Sequence, residues 1–104
     1  MKPALYAIVG MQHRGTVGFV AALPAGEPLD LRREPTNQFD PKAIAVWARG
    51  THVGYIKASQ NAPLASAIDR GERPSATLHR SQTGRWPLVE IQAKVVPEEG
   101  KVTS

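Results

Sequence analysis

Ala43-Ile44-Ala45-Val46-Trp47-Ala48-Arg49-Gly50-Thr51-His52-Val53-Gly54-Tyr55-Ile56 consists of two apolar, β-branched runs around a break. Residues 43–47 and 52–56 read as strands, joined through Ala48-Arg49-Gly50-Thr51, where Gly50 is free to take the positive φ of a tight turn. The two strands should pair antiparallel. Toward the C-terminus, Leu88–Val96 alternates strictly, with Val89, Ile91, Ala93 and Val95 on one side and Leu88, Glu90, Gln92 and Lys94 on the other. That is the period of a half-buried strand. Residues 5–9, apolar on both sides, read as a central strand. Residues 29–33 read as a strand with Leu29 and Leu31 inward, and residues 75–80 as a further one.

One helix is predicted from Ser59 or Asn61 to Arg70, capped by the Ser or Asn, with Pro63 in its first turn and Gly71 as its stop. Residues 16–23 fit a strand or a short helix. The pattern is mainly β. Short strands in this number suit a small OB-like or SH3-like β-barrel of about six strands with one or two short helices better than a sandwich. Residues 1–96 are expected to form that domain and residues 97–104 a disordered tail.

The chain has 104 residues, no cysteine and a formal charge of +4. One domain is the expectation at this length, and disulfide scaffolds, thiolate metal sites and cysteine enzymes are excluded. The N-terminal apolar run breaks at Gly10, unlike a signal peptide, and no stretch approaches the roughly 18 apolar residues of a membrane span. A cytoplasmic monomer is the default. Removing the acidic tail leaves 12 basic and 7 acidic residues, a charge of +5, on residues 1–96. Arg70, Arg73, Arg80 and Arg85 have only Glu72 between them, which suits a polyanionic partner or simply a solvated basic surface.

Catalytic signatures are missing: no Gly-rich phosphate loop, HExxH, GxSxG or EF-hand spacing occurs. His13, His52 and His79 fall in separate elements and read as surface or barrel-wall residues. A metal site from Glu34, Asp40 and a histidine resembles a nuclease centre on paper, but no spacing demands it. No metal, no cofactor and no enzymatic activity are expected.

The segment Arg33-Glu34-Pro35-Thr36-Asn37-Gln38-Phe39-Asp40-Pro41-Lys42 precedes the hairpin. Asn37 and Asp40 are turn residues whose side chains can bond nearby backbone amides, and the two prolines stiffen the loop. Structure alone would account for them. The same residues also offer a ring to stack on a base, cations for phosphate, and a carboxylate for a sugar hydroxyl, as a single-stranded nucleic-acid end requires.

The ordered run Arg33-Glu34-Pro35-x-Asn37-x-Phe39-Asp40-Pro41-x-Ala43-Ile44-Ala45-Val46, with Val53-Gly54-Tyr55-Ile56 behind it and Ile8-Val9-Gly10 in front, resembles the HIRAN domain over residues 4–96. The resemblance implies a modified OB-type barrel that binds single-stranded DNA at its 3′ end. It also implies a setting of DNA repair, replication or phage DNA processing beside a helicase or nuclease. By the same resemblance, Asp40 would accept a hydrogen bond from the 3′-hydroxyl and Phe39 would stack on a base. Asn37 would position the end, backbone at Val9 and Gly10 would meet phosphate or base edges, Tyr55 would line the pocket, and Lys57 would contact phosphate. A carboxylate beside a polyanion needs a donor, so Asp40 would select a 3′-hydroxyl over a 3′-phosphate. Gln12 and His13 stand where a DNA-binding member carries arginine and an aromatic ring. His13 can still stack or donate, and Trp86 would stand in for a C-terminal phenylalanine of that member. The departure motivates an alternative, a protein-interaction adaptor that keeps the barrel without end binding.

Overall fold

The structure is a computed structural model, and it describes residues 2–82 and 88–96. Its elements run β1 (Ala4–Val9), α1 (Met11–Arg14), α2 (Val17–Ala21), β2 (Pro28–Arg33), β3 (Ile44–Ala48), β4 (Thr51–Ile56), α3 (Ala58–Asp69), β5 (Arg73–Gln82) and β6 (Leu88–Val96). Six antiparallel strands close into a barrel in the order β1-β4-β3-β2-β5-β6. The mainly-β barrel is therefore present, with three short helices where the sequence predicted one or two. The expected tail at 97–104, Arg85 and Trp86 lie outside the described residues.

The hairpin reading holds with a tighter turn. Only Arg49 and Gly50 separate β3 from β4, with φ of 50° and 77°. A two-residue turn with both central residues left-handed matches the right-handed twist of its strands. The sequence reading allotted this freedom to Gly50 alone. Arg49 is fastened there by Glu27, at 2.7 and 3.2 Å.

In β6 the inward set Val89, Ile91, Ala93 and Val95 is buried, as the alternation implies. It packs with Ile44, Val46, Val53, Ile56 and Leu64 in one core. β1 is central as read, lying between two strands, but Leu5 and Val9 are 45% and 41% exposed. A barrel wall has one buried face, so apolar residues on both sides do not make a strand doubly covered. Its pairing is also divided, Ala4 to Ala7 bonding β6 and only Ile8 and Val9 bonding β4. β5 is longer than predicted. Its extra residues, Arg73, Pro74, Ser81 and Gln82, are not buried and are carried by the ladder to β6.

Residues 11–14, for which no element was predicted, form α1, and the 16–23 stretch that fitted a strand or a helix contains α2; the two place Met11 and Val20 in the core. Left-handed Gly10 and Gly15 bracket α1, and Thr16 donates its hydroxyl to the Val53 carbonyl at 2.6 Å. α3 begins earlier than predicted, with Lys57 as its N-cap, no side-chain cap, and Pro63 inside the helix. The candidate cap Asn61 is committed elsewhere, its Nδ2 donating to Asp40, while Gln60 Oε1 accepts the Ala7 N–H. Tertiary partners outcompete local capping here. The stop at Gly71 is as read: φ is 95°, and the N–H groups of Gly71 and Glu72 donate back to Ile68 and Ala67. These are the paired bonds of a Schellman end.

Arginine side chains form ion pairs between elements. Arg80 meets Glu90 across β5 and β6, so the basic 70–85 stretch is partly neutralised, against the sequence reading. Arg33, only 11% exposed, donates to the carbonyls of Pro41 and Ala43 and grips Asp69 of α3 through two bonds. It buckles the 34–43 loop to the helix.

A Cβ at Gly54 would lie 2.6 Å from the Val9 carbonyl oxygen and 2.7 Å from Ile8 Cγ2, where β1 and β4 approach. Gly54→Ala should cost about 1–3 kcal/mol in denaturant unfolding. Gly18→Ala, in open space on α2, should be neutral or stabilising. Arg33→Ala should lose about 2 kcal/mol, and Arg33→Lys should not rescue it because one ammonium cannot replace the fork. The Arg33 hydrogen bond holds Asp69 below the ordinary carboxylate value. A depressed folded value makes this contribution complete above the unfolded value and lost as pH falls through the folded one. Arg33→Ala should accordingly weaken that part of the acid dependence, measured by melting across an acidic pH series.

Candidate nucleic-acid interface

Two tight turns build the 34–43 loop. Asn37 N–H donates to the Glu34 carbonyl and Ala43 N–H to the Asp40 carbonyl, each at 3.0 Å, so Pro35 and Pro41 both occupy the second turn position. Proline's fixed φ suits that position. Between the turns, Asn37 Oδ1 accepts the N–H groups of Phe39 and Asp40 at 2.9 and 3.1 Å, and Asp40 Oδ1 accepts that of Lys42 at 2.9 Å. The structural reading of Asn37 and Asp40 is correct, and its effect is to turn Phe39 outward. That ring is 89% exposed.

Glu34 ties this loop to the barrel. Its Oε1 accepts from Asn37 Nδ2 at 3.0 Å and from the Tyr55 hydroxyl at 2.9 Å. Asp40 Oδ2 meanwhile accepts from Asn61 Nδ2 at 2.8 Å, and Asn61 is buried in α3. An open pocket of about 650 Å³ lies between loop and barrel, lined by Val9, Thr36, Asn37, Gln38, Phe39, Asp40, Ala43, Tyr55, Ile56 and Ala58.

Five of the eight residues singled out from the sequence, Val9, Asn37, Phe39, Asp40 and Tyr55, meet at this pocket. Lys57 does not line it but stands between two residues that do, Ile56 and Ala58. Gly10 is outside the lining, although a Cβ there would come 3.9 Å from the Tyr55 ring. His13 is exposed on α1 and is not among the lining residues. Sequence reasoning missed the apolar wall of Ala43, Ile56 and Ala58, and also Glu34 and Asn61 as the groups that hold the polar ones. Glu34 was visible in the motif. Asn61 carried no signal, because 21 positions separate it from Asp40.

The electrostatics are unusual in one respect. Of the seven acidic residues described, Glu27, Asp30, Asp69, Glu72 and Glu90 pair with arginines, whereas Glu34 and Asp40 form no ion pair among the described residues. Neutral donors hold both. The Lys42 N–H, then Asn61, keep the Asp40 carboxyl below its ordinary value. Burial, then the bond to Glu34, raises the Tyr55 phenol. Asp40 is thus an ionised acceptor at neutral pH with one hydrogen bond on each oxygen, and a carboxylate has room for about four. No group of three or more His, Asp or Glu able to hold a metal occurs among the described residues.

Similar proteins share this architecture. A protein from Lactobacillus plantarum of known crystal structure is 27% identical, with a TM-score of 0.67 over 89% of this chain and 99% of that one. The HIRAN domain of human HLTF is 20% identical, with a TM-score of 0.71 over 94% of this chain and 78% of that one, a likeness of fold. No curated protein sequence matches the chain. The HIRAN domain family model matches residues 4–92, nearly the whole barrel, and so the chain belongs to the HIRAN domain family, whose members are DNA-binding modules.

Proposed function

We propose that the chain is a non-catalytic module that binds single-stranded DNA and takes its 3′-hydroxyl end into the pocket between the 34–43 loop and β4. The observation that carries this reading is Asp40: an ionised carboxylate with spare acceptor capacity, with no ion pair among the described residues, beside an outward aromatic ring. Such a group disfavours a bare phosphate and accepts a hydroxyl. Phe39 offers its face to the terminal base, since a ring this exposed on a stiffened loop contributes little to the core. Lys42 and Lys57 flank the carboxylate and the pocket wall and supply positive charge for the preceding phosphate. Tyr55 and Asn37 complete the polar wall, while Val9, Ile56 and Ala58 give the base or sugar an apolar surface. A helicase or nuclease that processes DNA ends is the natural partner for such a module.

Fluorescence anisotropy with short oligonucleotides tests this. A 3′-hydroxyl end should bind more tightly than a 3′-phosphate end, and Asp40→Ala should abolish the difference; equal binding of both ends by the native chain overturns end recognition. Phe39→Ala should lose about 1–3 kcal/mol of binding without lowering the melting temperature, because the ring is 89% exposed. The pH profile gives an independent check. Because Asp40 titrates below the ordinary carboxylate range, end selectivity should be level from about pH 8 to about pH 5 and fall only below that. A midpoint near about 6.5 would instead place a histidine in the contact.

A further inference from the structure

Outside the pocket, the outer face of β2, β3 and β4 carries a row of side chains that the end-binding reading does not use. Trp47 on β3 is flanked by Arg32 from β2 and His52 from β4. The Arg32 guanidinium carbon lies 4.0 Å from the centre of the Trp47 ring, and the Trp47 and His52 rings stack at 5.1 Å with planes 10° apart. His52 then meets Tyr55 edge-on at 4.9 Å. Arg14, at the end of α1, donates Nε to the His52 carbonyl at 3.1 Å. The row starts at a pocket wall and runs away from it.

Its chemistry favours phosphate over bases. Arg32 and His52 approach Trp47 from opposite neighbouring strands, so the faces of that ring are already occupied. What remains are two guanidinium groups anchored through Nε alone. Arg32 pairs through Nε with Asp30 at 2.8 Å, an exposed contact that leaves both terminal nitrogens unbonded among the described residues. Arg14 makes no ion pair there, and its terminal nitrogens are likewise unbonded. Guanidinium forks suit phosphate oxygens bidentately, and stacking on an aromatic ring fixes the fork beforehand. Burial, then Arg14, lowers the His52 value, which leaves an uncharged ring between the two cations at neutral pH.

We infer that this row is a second subsite for phosphate, in which Arg14 and Arg32 each hold a backbone phosphate upstream of the nucleotide in the pocket and so lead the strand across the barrel. The inference rests on the single-strand reading above and adds to it a direction and a footprint. A thymidine dinucleotide should reach the pocket alone, whereas an octanucleotide should cover both.

The test is the salt dependence of binding by the intact chain for these two oligonucleotides, both 3′-hydroxyl, between about 50 and 200 mM salt. In the native chain the octanucleotide should show the steeper dependence. Arg14→Ala with Arg32→Ala should reduce its log–log slope by about 1.4, the share of two phosphates on a single strand. The same pair of changes should leave dinucleotide affinity unaltered, and Arg14→Lys with Arg32→Lys should restore most of the slope. An unchanged octanucleotide slope in the doubly substituted chain, with both oligonucleotides still binding, overturns the subsite and leaves the pocket standing. Failure of the native chain to bind either oligonucleotide overturns both.

Discussion

The carboxamide of Asn37 holds the candidate site together. Its nitrogen donates to Glu34 and its oxygen accepts two backbone N–H groups, so one side chain fixes the start of the loop, the outward ring and the carboxylate in a single arrangement. Glu34 passes that constraint to Tyr55 on the barrel wall, and Asn61 fixes Asp40 from α3. Arg33 closes the far side. Polar groups whose partners are all present tend to favour one conformation over its neighbours, since each alternative leaves a donor or acceptor bare. No buried side-chain donor or acceptor among the described residues lacks a partner.

The charge pattern extends the same design. Arginines neutralise the carboxylates elsewhere on the described surface, while the two at the pocket are held by neutral donors. An excess of +5 over residues 1–96 favours any polyanion. On the proposed reading, a local negative site within that field would give selectivity at a cost in raw attraction, so that affinity and discrimination would come from different residues.

How much of this was legible in the sequence depended on the range of the interactions. The β6 alternation, the hairpin and the Gly71 stop are written in adjacent residues and were readable. β5, with Ala76 and Leu78 as its buried residues, depends on a partner strand. α1 and α2 are held by the core that Met11 and Val20 enter, and the start of α3 depends on Gln60 and Asn61 serving distant elements. At the site, the loop motif announced Asn37, Phe39 and Asp40. The apolar wall from β4 and α3 did not announce itself, because Ile56 and Ala58 look like ordinary core and helix residues until the fold sets them against the loop.

The divided pairing of β1 has a mechanical meaning. Only Ile8 and Val9 bridge to β4, and beyond them the gap is closed by the start of α3, where Lys57 N–H and Gln60 Oε1 engage Ala7. This is the seam of the barrel. The pocket straddles it, with Val9 on one bank and Tyr55, Ile56 and Ala58 on the other. A molecule bound there would hold the two banks together, so that occupancy and the integrity of the barrel would be linked quantities, each strengthening the other by mass action.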